Sequence, residues 1–194
     1  FHPEPGEMYP RYPPLTVVEV RGLTETLCGP SRPGHFSGVA TVVSKLFNIV
    51  EPDRAYFGQK DYQQALVVKR MVSDLNIPIS IEILPTVREP DGLAMSSRNA
   101  NLSPGEREEA LSLFQALQIC RQMYESGERN AAYILKIMEK RVLKEPSAVI
   151  DYIEICDAIT LKKVDLIEGP VIVALAVRFG KTRLIDNILL GVER

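Results

Sequence analysis

Two short polar clusters carry the residue types that chemistry on a phosphate needs. They are Gly58-Gln59-Lys60-Asp61 and Met95-Ser96-Ser97-Arg98. Lys60 supplies a full positive charge, and Gly58 lets a ligand approach the backbone closely. Ser96 and Ser97 donate through their hydroxyls, and the Arg98 guanidinium forks onto anionic oxygens. Each cluster also has a plain structural reading. Lys60 and Asp61 can be a solvated lysine and a helix N-cap, and Ser96 to Arg98 can be a polar hinge between domains. Spacing alone leaves both readings open. A third cluster, Ser31-Arg32-Pro33-Gly34-His35-Phe36, holds one of only two histidines. A lone histidine before a helix reads as a cap or loop contact. Asp186-Asn187 reads as structural, and Glu106, Glu108 and Glu109 as a solvated first helical turn.

The elements around the clusters decide whether they can work together. Residues 1 to 14 hold five prolines, so that stretch is an irregular connection. Thr16 to Val20 reads as a short strand. From Ser37 the apolar residues Val39, Val42, Val43, Leu46, Phe47 and Val50 follow helical spacing. Arg54 to Phe57 reads as a short buried strand that Gly58 ends. A helix follows from about Asp61 to Leu75, with Leu66, Met71, Val72 and Leu75 facing inward. Ile79 to Leu84 alternates as a strand. Helix, strand, helix, strand in that order predicts a parallel sheet with crossover connections. The first cluster then sits where a strand hands over to a helix, the usual place for an anion in such sheets.

Beyond Arg98 the pattern changes. Ser103-Pro104-Gly105-Glu106 is a capping box with proline at N1. It opens a helix to about Ser126, with Gly127 at its stop. A second helix spans roughly Ala131 to Lys144. Three β-branched runs follow, Val149 to Ile155, Val171 to Val177 and Leu184 to Leu189. They predict a separate α+β domain with a small antiparallel sheet, its boundary between Leu84 and Gly92.

Composition excludes several function classes. Of 194 residues, 45% are hydrophobic and 25% charged, as expected for a chain that buries a core. A net charge of -2 gives no reason to expect a nucleic acid or an anionic membrane as partner. No apolar run reaches the roughly 18 residues of a membrane span. Cys28, Cys120 and Cys156 are far apart and odd in number, which argues against disulfides and zinc and for a reducing cytoplasm. The chain opens on Phe1-His2-Pro3, which reads as the end of a strand, so the sequence is expected to start within a longer protein.

Four segments, taken together, are more specific than any one of them. Ser31 to Phe36, Phe57-Gly58-Gln59-Lys60-Asp61-Tyr62-Gln63-Gln64, Asp91 to Asn99 and Thr182-Arg183-Leu184-Ile185-Asp186-Asn187 resemble the pantothenate synthetase family in order and spacing. The resemblance covers essentially the whole chain. It implies an α/β fold. Residues 1–87 would be the C-terminal portion of a Rossmann-like parallel-sheet domain of the nucleotidylyltransferase superfamily. Residues 88–194 would be a small α+β lid with an antiparallel sheet. It implies a ligase that joins pantoate to β-alanine using ATP and Mg2+, through a pantoyl adenylate, with release of pyrophosphate and AMP. The full-length enzyme would be a homodimer.

The resemblance also implies roles for single residues. Gly58, Gln59, Lys60 and Asp61 would form the ATP-binding segment, with Lys60 on the phosphates. Val87 would line the adenine site, and Gln64 would hydrogen-bond pantoate. Met95, Ser96, Ser97 and Arg98 would form the loop that grips the phosphates, with Ser96, Ser97, Arg98 and Lys60 the catalytic set. Two departures stand out. The family's His-x-Gly-His signature is absent, because neither His2 nor His35 lies in one, and an upstream pantoate-binding glutamine is also missing. Gln59 and Cys28 stand where glutamate is frequent. The chain by itself is therefore expected to be inactive or nearly so. The alternatives are a non-catalytic interaction module and a related adenylate-forming ligase for a different acid.

Overall fold

The computed structural model describes residues 2–192. The chain divides into two compact units, residues 1–57 with 62–84, and residues 58–61 with 85–194. Nothing in the sequence suggests that the short piece 58–61 groups with the second unit.

In the first unit, the one-turn helix α1 (Pro5–Met8) precedes a long irregular stretch. The strand expected at Thr16 to Val20 does not form, since no ladder pairs it among the described residues. Its Val18 N–H instead donates to Thr41 Oγ1 at 2.9 Å. Helix α2 (His35–Val50) starts from Gly34, whose left-handed φ of 74° suits glycine. Its buried residues are Phe36, Ala40, Thr41 and Phe47. The expected stripe of Val39, Val42, Val43 and Leu46 is only half-buried, and Val50 is exposed. Strand β1 (Arg54–Gly58) is parallel to β2 (Ser80–Leu84), and helix α3 (Tyr62–Asp74) joins them. The two strands alternate exposed and half-buried residues, so β1 is not the buried strand its composition predicts. Helix α3 buries Ala65, Val67, Val68, Met71 and Val72, whereas Leu75, expected to face inward, is exposed. The expected strand end at the start of the chain falls partly on Phe1, outside the described residues, and His2 and Pro3 lie in no strand.

The second unit is a helical layer on a three-stranded antiparallel sheet. Helix α4 (Pro104–Glu109) carries the predicted capping box. Ser103 Oγ accepts from the Glu106 N–H at 3.3 Å, and the Ser103 N–H donates to Glu106 Oε2 at 2.8 Å. The single helix expected from Ser103 to Ser126 is broken at Ala110, where α5 (Leu111–Glu125) begins. Gly127 stops α5 with a φ of 98° and is followed by α6 (Ala131–Val142). Strands β3 (Ala148–Asp157), β4 (Val171–Phe179) and β5 (Thr182–Leu190) lie in the order β3-β4-β5, with a register shift between Ile150 and Tyr152. The central strand β4 buries Val171 through Val177 without interruption. An unbroken apolar run fits a strand covered on both faces. Leu113 and Leu117 of α5, Ile134 and Met138 of α6, and Leu175 and Phe179 of β4 meet in this core.

Candidate functional site

Strand β1 hands the chain over to a 3-10 turn, Gln59–Asp61, that carries the first cluster. A Cβ placed on Gly58 would meet nothing within 4 Å. Neither crowding nor a positive φ requires glycine there, and the space over its backbone is open. The Lys60 ammonium donates to the Met95 carbonyl oxygen at 2.9 Å. One bond therefore brings the two clusters together. Partial burial pushes the Lys60 pKa below the ordinary lysine value. Asp61 and Asp186 pull it back up, while Arg98 and Arg88 push it further down.

The second cluster hangs from a tight hairpin. The Gly92 N–H donates to the Glu89 carbonyl at 2.9 Å, and the Met95 N–H to the Val87 carbonyl at 3.0 Å. Gly92 has a φ of 99°, and a Cβ on it would overlap the Phe114 ring, so only glycine fits. Ser96 caps the 3-10 turn Ser97–Asn101, its Oγ accepting from the Arg98 N–H at 3.2 Å. Ser97, Arg98, Met95 and Val87 are exposed. Arg98 Nη1 reaches the Arg183 carbonyl at 3.5 Å.

Behind both clusters lies a polar frame in which Asp186 and Asn187, read as structural in the sequence, meet Arg88, for which the sequence suggested no role. Arg88 forks onto Asp186, at 2.6 Å to Oδ2 and 3.0 Å to Oδ1, and also donates to the Gly92 carbonyl at 3.0 Å. The Arg88 guanidinium lies 4.8 Å from the Phe114 ring centre. Burial pushes the Asp186 carboxyl above its ordinary range, and the Arg88 fork pulls it back. Next to it, Asn187 Nδ2 donates to the carbonyls of both Gln59 and Lys60 at 2.9 Å. Gln59 Nε2 in turn donates to Asn187 Oδ1 at 3.3 Å. The sequence signal that could have pointed here is the polar pair Asp186-Asn187 set between Leu184-Ile185 and Ile188-Leu189-Leu190; both side chains are almost fully buried.

Gln64, the expected pantoate residue, lies half-buried on α3 in the first unit. Its neighbour Gln63 is committed to the backbone. It donates to the carbonyls of Leu23 and Thr26 and accepts from the Cys28 N–H at 3.0 Å. His35 opens α2 and stacks at an angle on Phe36, with ring centres 5.0 Å apart. The thiols of Cys120 and Cys156 are pushed up to about 12, mainly by burial, and are poor nucleophiles at neutral pH. Among the described residues no group of three or more His, Cys, Asp or Glu side chains can hold a metal. The described side chains therefore do not fit a dedicated Mg2+ cage. No helix among them is long and apolar enough to cross a membrane.

Fold and donor set together define an α/β protein with a lysine, two serine hydroxyls and an arginine set in neighbouring loops, a combination suited to phosphate oxygens. Comparison with known proteins is specific. A family model described as pantoate-beta-alanine ligase matches residues 1–189. A pantothenate synthetase of Moorella thermoacetica is 60% identical over 194 residues, covering 100% of this chain and 68% of that protein. One from Syntrophotalea carbinolica is 56% identical over 188 residues, covering 96% of this chain and 66% of the relative. The solved pantothenate synthetase of Thermus thermophilus matches with a TM-score of 0.90 and 46% identity, over 94% of this chain and 66% of that one. A pantoate-beta-alanine ligase from Francisella tularensis, solved with β-γ ATP and β-alanine, matches with a TM-score of 0.70 and 34% identity, over 95% of this chain and 61% of that one. The chain belongs to the pantoate-beta-alanine ligase family. It spans about two thirds of the length of these curated relatives.

Proposed function

We propose that the protein carrying this chain condenses (R)-pantoate with β-alanine in an ATP-driven reaction that passes through a pantoyl adenylate. A pantoate carboxylate oxygen attacks the α-phosphorus of ATP, and the α–β bridging bond breaks to release pyrophosphate. The β-alanine amine then attacks the acyl carbon of the mixed anhydride. The acyl–oxygen bond breaks, AMP leaves, and the amine loses a proton. No protein nucleophile takes part. The protein's work is to hold two anions together and to stabilise charge on the phosphates.

The observation that carries this reading is the 2.9 Å bond from Lys60 to the Met95 carbonyl, which joins the lysine to the Ser96–Arg98 loop in a member of this family. In this assignment Lys60, Ser96, Ser97 and Arg98 hold the phosphates. Gly58, Gln59 and Asp61 complete the ATP segment, and the open space over Gly58 suits a closely approaching ligand. Val87 and Met95, both exposed, offer apolar surface to the adenine, and Gln64 binds pantoate. In this reading residues 1–87 form the nucleotide-binding domain and 88–194 the lid domain, with the ATP segment 58–61 grouped with the second unit. Mg2+ would enter with the nucleotide and would neutralise part of its phosphate charge. The enzyme works in the cytoplasm as a homodimer. Residues 1–194 alone turn over little, since they carry no His-x-Gly-His signature.

The test uses the full-length protein and two readouts, AMP release and ATP–pyrophosphate exchange. Exchange should require pantoate but not β-alanine. Pantothenate formation without exchange would remove the adenylate from the account. AMP release with a different acid only would change the substrate, and none with any acid would favour an interaction module. Robust turnover by residues 1–194 alone would contradict the expected inactivity of this piece.

A further inference from the structure

Asp186 and Asn187 are consecutive residues of β5, and both are almost completely buried. A buried amide and a buried carboxylate in a small sheet are costly unless every polar atom is used. Here they are used on two loops far apart in the sequence. Asn187 Nδ2 takes the carbonyls of Gln59 and Lys60 at 2.9 Å each, and its Oδ1 accepts from Gln59 Nε2. Asp186 takes the Arg88 fork with both oxygens, and its Oδ1 also accepts the Asn187 N–H at 2.8 Å. Arg88 passes the constraint on to the Gly92 carbonyl, at the tip of the hairpin that carries Met95. The Lys60 ammonium closes the ring on the Met95 carbonyl. All these groups lie in the second unit.

We propose that Asn187, supported by the Asp186–Arg88 pair, is a positioning residue that fixes the Lys60 backbone and so sets where its ammonium stands against the Ser96–Arg98 loop. The inference rests on the reading of Lys60 as a phosphate ligand and goes beyond it. The side-chain amide reaches Lys60 only through the backbone carbonyl, and nothing requires it to touch substrate. Chemistry supports amide over carboxylate at this position. Two carbonyl oxygens need two donors, which the Asn NH2 group provides and a carboxylate lacks.

A double-mutant cycle in the full-length enzyme tests this, with thermal unfolding as the fold check. Asn187→Ala removes a three-bond clamp and should lower kcat/KM for ATP by roughly 10- to 100-fold. In a Lys60→Ala background the same change should cost about threefold or less, because the group being positioned is already gone. Asn187→Ser, which keeps one donor, serves if the alanine variant does not fold, and should give a smaller loss with the same coupling. A second readout does not depend on turnover, namely the titration of the Lys60 ammonium followed by NMR of labelled lysine. In Asn187→Ala it should move up toward the ordinary lysine value, as Lys60 leaves its partly buried setting. Equal losses in both backgrounds, or an unmoved Lys60 titration, would overturn the proposal. If Lys60→Ala alone is harmless, the phosphate reading of Lys60 fails, and the titration still decides whether Asn187 holds the lysine.

Discussion

In the second unit, β4 buries every residue from Val171 to Val177, and α5 and α6 close over the sheet with Leu113, Leu117, Ile134 and Met138 fully buried. In the first unit, β1 and β2 alternate exposed and half-buried positions, and the valine stripe of α2 is half-covered. Hydrophobic stabilisation scales with apolar area removed from water. The second unit therefore carries the greater share of the packing energy. The proposed phosphate donors, Lys60 included, belong to that better-packed unit, where the frame of Arg88, Asp186 and Asn187 ties them to β5. Donors that act by preorganisation gain most from a rigid support.

Opening each core in turn tests the difference between the two units. Phe179→Ala should cost about 3–5 kcal/mol, because Phe179 is fully buried in the second unit. Val43→Ala on half-buried α2 should cost about 1 kcal/mol or less. Denaturant unfolding of the two variants measures both, and equal losses would mean the packing difference is not energetic.

A smaller effect concerns pH. Partial burial lowers the Lys60 pKa, so Lys60 loses its charge at a pH below 10.5. ATP affinity should therefore fall on the alkaline side earlier than for an ordinary lysine, by about tenfold or more once deprotonation is complete. Lys60→Arg should push that fall to higher pH, since guanidinium stays charged. Affinity measured across pH checks the sign. Next, Gly92→Ala should destabilise by about 1–3 kcal/mol, from its positive φ and the Phe114 ring in the way. It should also weaken ATP binding, because Gly92 shapes the Met95 hairpin. Ser103→Ala should cost about 1 kcal/mol through the lost cap of α4 and leave ATP affinity unchanged. Thermal unfolding with a parallel ATP titration separates the last two.

Much of the second unit is legible in the sequence because its signals are local. The Ser103-Pro104-Gly105-Glu106 box, the Gly127 stop and the three β-branched runs each specify their own element. The break at Ala110 is not legible, since Ala110 keeps helical backbone angles and has a high helix propensity. The first unit reads less well. Thr16 to Val20 has the composition of a strand, but a strand also needs a partner, and ladder pairing is not written in the segment itself. The α2 stripe shows helical period without showing how far it is covered. At the candidate site, residue chemistry picks out Lys60 and Ser96 to Arg98, while their meeting at the Met95 carbonyl depends on tertiary placement. The Asn187 clamp is the least legible part. Its partners are backbone carbonyls more than 120 residues away, and a carbonyl has no sequence identity.

In the proposed reaction Lys60 and Arg98, gathered in the second unit, hold the phosphates of ATP. Calorimetric titration of ATP into the full-length enzyme and its Lys60→Ala and Arg98→Ala variants tests it most directly. Each charge-assisted contact contributes about 1.5–3 kcal/mol, so each variant should bind ATP roughly 10- to 150-fold more weakly while its unfolding temperature holds. Unchanged ATP affinity in both variants would contradict the account.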